Sequence, residues 1–149
     1  MAESFALQLQ KFAEKAKANT DVVVQKVTLE VAKSVIQKSP VGNPDLWKGS
    51  APPGYVGGRF RANWMFGDGK IDTTTTEETD KSGSMTKTRL AAAISATRAG
   101  GVTFISNSLP YAIPLEYGHS SQVPPHAMVR GTVAEFQQYV NQALQGLNK

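Results

Sequence analysis

Between residues 40 and 58 the chain carries Pro40, Gly42, Pro44, Gly49, Pro52, Pro53, Gly54, Gly57 and Gly58, and no helix or strand survives breaks that frequent. This stretch sets the layout: a segment before it that must be regular by itself, a long loop, and a mixed remainder. The loop still holds Leu46, Trp47, Tyr55 and Val56. Large aromatics gain more from burial than they lose in side-chain entropy, so a purely solvated loop is not expected. It should dock, either onto its own core or onto a neighbour.

Before the loop, Phe5, Leu9, Phe12 and Ala16 recur at i, i+4, i+7 and i+11, which is one helical stripe. Asn19, Thr20 and Asp21 form a capping cluster where a second helix starts, with Val24, Val27, Val31 and Val35 as its stripe, reinforced by Val23 and Ile36. Ser39-Pro40 ends the helical segment, 3–38 in all, because the residue before proline is pushed out of the helical region. After the loop, Phe60, Ala62, Trp64 and Phe66 alternate with Arg59, Arg61 and Asn63, the period of a half-buried strand. Gly67-Asp68-Gly69 reads as a turn, Lys70 to Thr76 as a returning strand, and Glu77 to Ser84 as a polar, protease-accessible tract. Thr88 to Ala99 reads as a helix on Leu90 and Ile94, closed by Gly100-Gly101. Val102 to Ser106 reads as a strand, and Tyr111 to Tyr117 as a helical turn around Pro114. Thr132-Val133-Ala134-Glu135 matches a capping box, and Val133, Phe136, Val140, Leu144 and Leu147 give the last helix, 133–147, one apolar stripe. The expectation is a single α+β domain over 1–149. A small, mostly antiparallel sheet with short helices, over 59–131, packs against long N-terminal and C-terminal helices.

Several chemistries find no footing. There is no cysteine, which removes disulfides, thiolate nucleophiles and thiolate metal sites together. The two histidines, His119 and His126, even with Glu116 nearby, match no ligand spacing, so neither a metal nor another cofactor is expected. No Gly-x-Ser-x-Gly elbow occurs, and Gly57-Gly58-Arg59 lacks the lysine and following helix of a phosphate loop. The acids Glu77, Glu78 and Asp80 sit in a polar tract where no burial should perturb them. The net charge of +4 is spread over scattered bases, among them Lys11, Lys33, Lys38, Arg98 and Arg130, with acids interleaved, unlike the stripe of a duplex reader. No apolar run reaches the ~20 residues of a membrane span, and the start resembles no secretory signal, so a cytoplasmic origin is expected.

What stands out is aromatic and charged residues in Gly/Pro-flanked places: Trp47, Tyr55, Arg59, Arg61, Trp64, Tyr111, Glu116, Tyr117 and Arg130. Tyr, Trp and Arg dominate interface hot spots, so these are candidate subunit or partner contacts. For Trp64 and Tyr111 the plainer role is an ordinary core aromatic. Glu116 and Arg130 can pair within the chain or across a subunit boundary.

Three ordered blocks also carry a resemblance. Ser39-Pro40-Val41 with Gly58-Arg59-Phe60-Arg61-Ala62-Asn63-Trp64 is similar to the S-P-V-D-T-G-R-hydrophobic-R-x-x-W passage of small tailed-phage neck proteins, also called tail-completion or head–tail joining proteins. Asn107, Leu109-Pro110-Tyr111-Ala112 and Leu115-Glu116-Tyr117-Gly118 resemble their N-x-x-P-Y-A-x-x-L-E-Y-G passage. Gln122, Pro124 and Met128-Val129-Arg130, then Thr132 to Phe136, resemble the close of that domain, and Phe5 to Leu9 with Phe12-Ala13 fits its start. Two departures stand out: Gly42 to Gly57 is inserted between the halves of the first block, and Pro125-His126-Ala127 replaces a more usual glycine before the methionine. The resemblance implies a non-enzymatic virion protein, present in host cytoplasm during assembly. It would form a homo-oligomeric ring at the neck, six copies rather than twelve, between connector or stopper, tail terminator and tail tube. A head-to-tail interface closing by rotation makes such a ring. Its lumen would meet DNA through non-specific phosphate contacts. The free chain is then expected to be monomeric or weakly associated, cut by proteases within 40–58 or 77–86. A phage DNA-binding accessory protein, a tail-terminator ring subunit and a hydrolase are the competing readings.

Overall fold

The computed structural model describes residues 4–42, 56–118 and 125–147; within its first helix the side chains of residues 5, 9, 11–13 and 15–18 lie outside that description. In chain order the elements are α1 (Phe5–Lys38), α2 (Arg59–Ala62), β1 (Trp64–Asp68), α3 (Ser84–Ile94), β2 (Thr103–Asn107), α4 (Ala112–Tyr117) and α5 (Met128–Leu147). The fold is α+β, with one antiparallel strand pair among the described residues, running from Trp64 opposite Asn107 to Asp68 opposite Thr103. The inserted loop falls largely outside the described residues, and with it Trp47 and Tyr55.

α1 is a single helix of 34 residues, about 51 Å long at 1.5 Å per residue, and not two helices meeting at Asn19–Asp21. Ser4 caps its start by accepting the Leu7 N–H at 3.2 Å. Asp21 does not cap. Its carboxylate accepts the Ala99 N–H at 2.7 Å and faces the Arg98 guanidinium at 3.8 Å, a tertiary bond in place of the local one. The helix stops at Ser39, extended before Pro40 as the proline rule requires.

The alternating run from Phe60 to Phe66 is not one strand. Arg59–Ala62 is a helical turn, and the strand begins only at Trp64. The reason lies at Gly58 (φ 104°), where any Cβ would sit 2.6 Å from the Lys81 nitrogen. The chain enters the turn through a left-handed residue packed on the 80–81 backbone, and only glycine fits there. Lys70 to Thr76 forms no strand either; β2 pairs with β1 instead, and the intervening segment is held by side chains. Ser106 Oγ donates to the Asp72 carbonyl at 2.9 Å, and the Asn63 amide both donates to the Thr76 carbonyl (3.0 Å) and accepts its N–H (2.8 Å).

The tract 77–84 is likewise ordered. Asp80 is buried and its carboxylate accepts the N–H groups of Gly83 (3.1 Å) and Thr86 (2.7 Å) and the Thr86 hydroxyl (2.8 Å), satisfying the open N-terminus of α3. α3 ends at Ile94, before the Gly100-Gly101 pair expected to close it.

The core joins Ala32, Val35 and Ile36 of α1 to Phe60, Trp64, Leu90, Ile94, Leu109 and Met128. A second cluster, Val27 with Tyr139 and Ala143, lies between α1 and α5. These two helices run antiparallel: Lys38 meets Glu135 at 3.0 Å, Ser34 meets Thr132 at 2.8 Å, and Gly146 lies beside Lys26. α5 starts at Met128, five residues before its expected start, and Thr132 donates to the Met128 carbonyl at 2.6 Å from inside the helix.

Candidate assembly surface

Ser39, at the end of α1, is the point where the first sequence block closes on itself. Trp64 Nε1 donates to Ser39 Oγ at 2.8 Å, that hydroxyl donates to the Val35 carbonyl at 2.5 Å, and Arg61 Nε donates to the Ser39 carbonyl at 3.0 Å. Arg61 also donates to the Gln37 carbonyl, so two of its bonds cap the C-terminus of α1, and a third, to the Lys81 carbonyl, ties that end to the 80–81 backbone. Trp64 is 3% exposed and meets Phe60 edge-on, with ring centroids 5.9 Å apart. Trp64 is a core residue of the isolated chain. Arg59 lies at the surface, donating to the Thr76 carbonyl at 3.2 Å and pairing with the exposed Glu77.

The second and third blocks meet in turn. Asn107 donates to the Phe60 carbonyl at 2.9 Å, and Tyr111 stacks at a tilt on Phe60, centroids 5.7 Å apart, while remaining 40% exposed. Glu116, in α4, is buried and reaches across to α5. Its carboxylate accepts the N–H groups of Val129 (2.8 Å) and Arg130 (3.0 Å) and pairs with the Arg130 guanidinium at 3.1 Å. Burial alone would raise the Glu116 pKa, but these N–H donors and the arginine outweigh it and hold it below the ordinary carboxylate value. Asp80 behaves alike: burial pushes up, the bonds from Thr86 and Gly83 pull further down, and the net shift is downward. Tyr117, 60% exposed, lies under Arg130 with the guanidinium carbon 4.3 Å from its ring centroid. Of the nine residues singled out in the sequence, then, Trp64, Arg61 and Glu116 spend their polar groups inside the chain. Tyr111, Tyr117 and Arg130 keep exposed faces, the last two against each other across α4 and the start of α5. The Glu116–Arg130 pair is intrachain.

A different surface was missed by that list. The apolar stripe of α5 faces the core only in part: Val140 packs on the α1–α5 cluster, while Val133, Phe136 and Leu144 are exposed, at 67%, 46% and 47%. The inward face is instead Met128, Thr132, Tyr139 and Ala143. Two polar pairs with α1 accompany that rotation: Thr132 meets Ser34, and Glu135 meets Lys38. The exposed stripe borders an open apolar groove of about 430 Å³ whose walls are Val23, Val27 and Val31 of α1, Ile105 of β2, and Phe136 and Val140 of α5. Phe136 belongs to both, so groove and stripe adjoin as one exposed apolar surface. The helical periodicity of Val133 to Leu147 was visible in the sequence; which way it faced was not.

Among the described residues no group of three or more His, Asp and Glu side chains is close enough to hold a metal, and no helix is long and apolar enough to cross a membrane. His119 lies outside the described residues. Scans of the chain against protein-family models, curated proteins and solved structures each return no match.

Proposed function

We propose that this chain is a non-enzymatic structural subunit of a tailed-phage particle, assembled as a homo-oligomeric ring, six copies favoured, at the head–tail junction. It joins the connector to the tail and contacts stopper, terminator and tail-tube proteins on either side. The observation that carries the reading is the apolar face formed by the outer stripe of α5 and the adjoining groove, a surface suited to burial against another protein and poorly suited to polar substrate chemistry. The three sequence blocks that resemble neck proteins add support. Far apart in the chain, they converge around Ser39, Phe60 and Glu116 through the bonds described above. The basic residues are scattered in sequence, and Lys38, Arg59, Arg61 and Arg130 are engaged within the fold. DNA in a ring lumen would therefore meet weak, salt-dependent contacts.

The test is to purify the phage particle that encodes the chain and measure the chain's copy number by quantitative mass spectrometry. About six copies per particle, or twelve for the portal-matched ring, are expected for a closed neck ring. Absence from the particle contradicts the proposal. Tight, salt-sensitive duplex binding by the isolated protein would move the assignment to a DNA-binding accessory protein.

A further inference from the structure

β2 has a strand on one side only. Gly69 donates to the Val102 carbonyl at 2.7 Å, and that register, continued along the pair, makes Phe104 and Ser106 the residues whose backbone groups face β1. The N–H and carbonyl groups of Thr103, Ile105 and Asn107 therefore point the other way, where no further strand lies and no described residue bonds them. β1 is closed on its own outer side, since Arg89 of α3 donates to the Trp64 carbonyl at 2.9 Å. A second open edge lies at 71–75. Asp72, Thr74 and Thr76 spend backbone groups within the fold, on the Ser106 hydroxyl, the Asp72 carboxylate and the Asn63 amide. The alternate residues Ile71, Thr73 and Thr75 are exposed, and no described residue bonds their backbone. Engaged and open groups alternate in this way along a strand that has one free edge. None of the outward residues on either edge is charged or proline, the usual means of blunting an edge, and all but Asn107 are β-branched.

Within one copy the two edges stay apart, because the Ser106 hydroxyl holds Asp72 over a face of the sheet and not beside β2. We infer that residues 71–75 of one copy add as a strand to the outer edge of β2 in the next copy. Strand addition draws its affinity from main-chain hydrogen bonds, here those that Thr103, Ile105 and Asn107 leave open. Charge sets the direction. Arg98, shortly before β2, is largely exposed and meets Asp21 only at 3.8 Å. Glu78, shortly after the segment, is exposed, and its carboxylate has no partner among the described residues. Antiparallel pairing sets Ile71 opposite Asn107 and Thr75 opposite Thr103, which carries Glu78 towards Arg98 of the next copy. A parallel pairing would bring the exposed Lys70 there instead, like charge against like. Thr103 and Ile105 also wall the apolar groove, so the added strand continues the surface assigned to assembly above. Segment and edge are different surfaces, so the contact is head-to-tail and propagates around a ring, which deepens the ring reading and rests on it.

The chain has no cysteine, so introduced thiols report without background. Thr75→Cys and Thr103→Cys are made singly and oxidised at high protein concentration, separately and mixed. Opposite residues of a hydrogen-bonded antiparallel pair hold their Cα atoms about 5.5 Å apart, within disulfide reach. The mixture is therefore expected to give a linked dimer in about tenfold greater yield than either variant alone, because docking raises the local thiol concentration. Ile71→Cys mixed with Thr103→Cys, a pair that only the parallel arrangement joins, should stay at the background level. A chain carrying both Thr75→Cys and Thr103→Cys should give a ladder of multimers. Yields equal to the Ile71→Cys control overturn the inference, and that result is also what a strand of an unrelated protein on β2 would give. A disulfide closed within one double-cysteine chain overturns it too. So does Ile105→Cys linking to itself in greater yield than the mixed pair, the mark of two β2 edges joined about a two-fold axis. If the cross-link fails while the chain is present in the particle in ring number, only the strand-addition contact falls. If the cross-link forms while the chain is absent from the particle, only the neck reading falls.

Discussion

Ala127 shows how one residue records a local demand of the fold. It sits at φ 47° between α4 and α5, the left-handed region that costs a residue with a Cβ about 1–2 kcal/mol, and its N–H donates to the Glu116 carbonyl at 3.1 Å. Ala127→Gly should raise stability by about 0.5–1 kcal/mol, read as a higher urea midpoint with an unchanged slope. Trp64→Ala removes a ring from the centre of the core and should cost about 3–5 kcal/mol in the same measurement on the isolated chain. An unchanged midpoint would mean the ring is needed only on assembly. Asp80 and Glu116 both contribute to acid behaviour. Their folded pKa values lie below the unfolded carboxylate values, so their stabilisation is complete above about pH 4–5 and is lost as pH falls through the lower folded values. Asp80→Asn should therefore flatten the fall of stability between pH 5 and the acid limit, followed as melting temperature against pH; an identical fall in the variant would contradict this. Little of that chemistry was legible beforehand. Asp80 stands among exposed-looking acids, and only the tertiary path of 76–86 brings Gly83 and Thr86 N–H groups onto it.

At the scale of elements, periodicity located the helices better than it oriented them. α4, β2 and the end of α1 at Ser39-Pro40 follow from spacing and from proline, which act locally, whereas the capping cluster at Asn19–Asp21 suggests a helix start where α1 runs unbroken. Phe60 to Phe66 misled because a helical turn followed by a strand places Phe60, Ala62 and Trp64 inward just as an unbroken strand would. The capping box at Thr132 misled because Thr132 and Glu135 are used for Ser34 and Lys38, contacts about a hundred residues away in sequence. The two faces of α5 should respond oppositely to substitution. Met128, 1% exposed and part of the core on the inner face, leaves a cavity when truncated, and Met128→Ala should cost about 2–5 kcal/mol. Val133→Ser and Phe136→Ser on the outer face should each change the stability of the isolated chain by less than about 0.5 kcal/mol while weakening association. Urea titrations paired with sedimentation distinguish the two effects. The polar tract after β1 makes a further contrast. Held by Asn63, Arg59 and Asp80, residues 76–83 should resist limited proteolysis in the native chain, against the expectation from composition alone.

For the whole molecule, the sequence's α+β expectation agrees with the structure, because long amphipathic helices flanking a short β-branched and aromatic region leave few other ways to bury both. The function is harder to read at this scale, since an apolar stripe serves a private core and a shared one equally well. Only the rotation of α5 about its axis separates the two, and in this fold that rotation brings Met128, Thr132, Tyr139 and Ala143 inward. A chain built to close a ring needs a surface left open in the monomer, and the outer α5 face is such a surface. Cryo-electron microscopy of the native particle at side-chain resolution is the most direct test. The account predicts a ring of this chain between portal and tail tube, with the outer face of each α5 covered by an adjacent copy. A neck without this polypeptide, or one in which it sits as a lone monomer with Val133, Phe136 and Leu144 facing solvent, would contradict it.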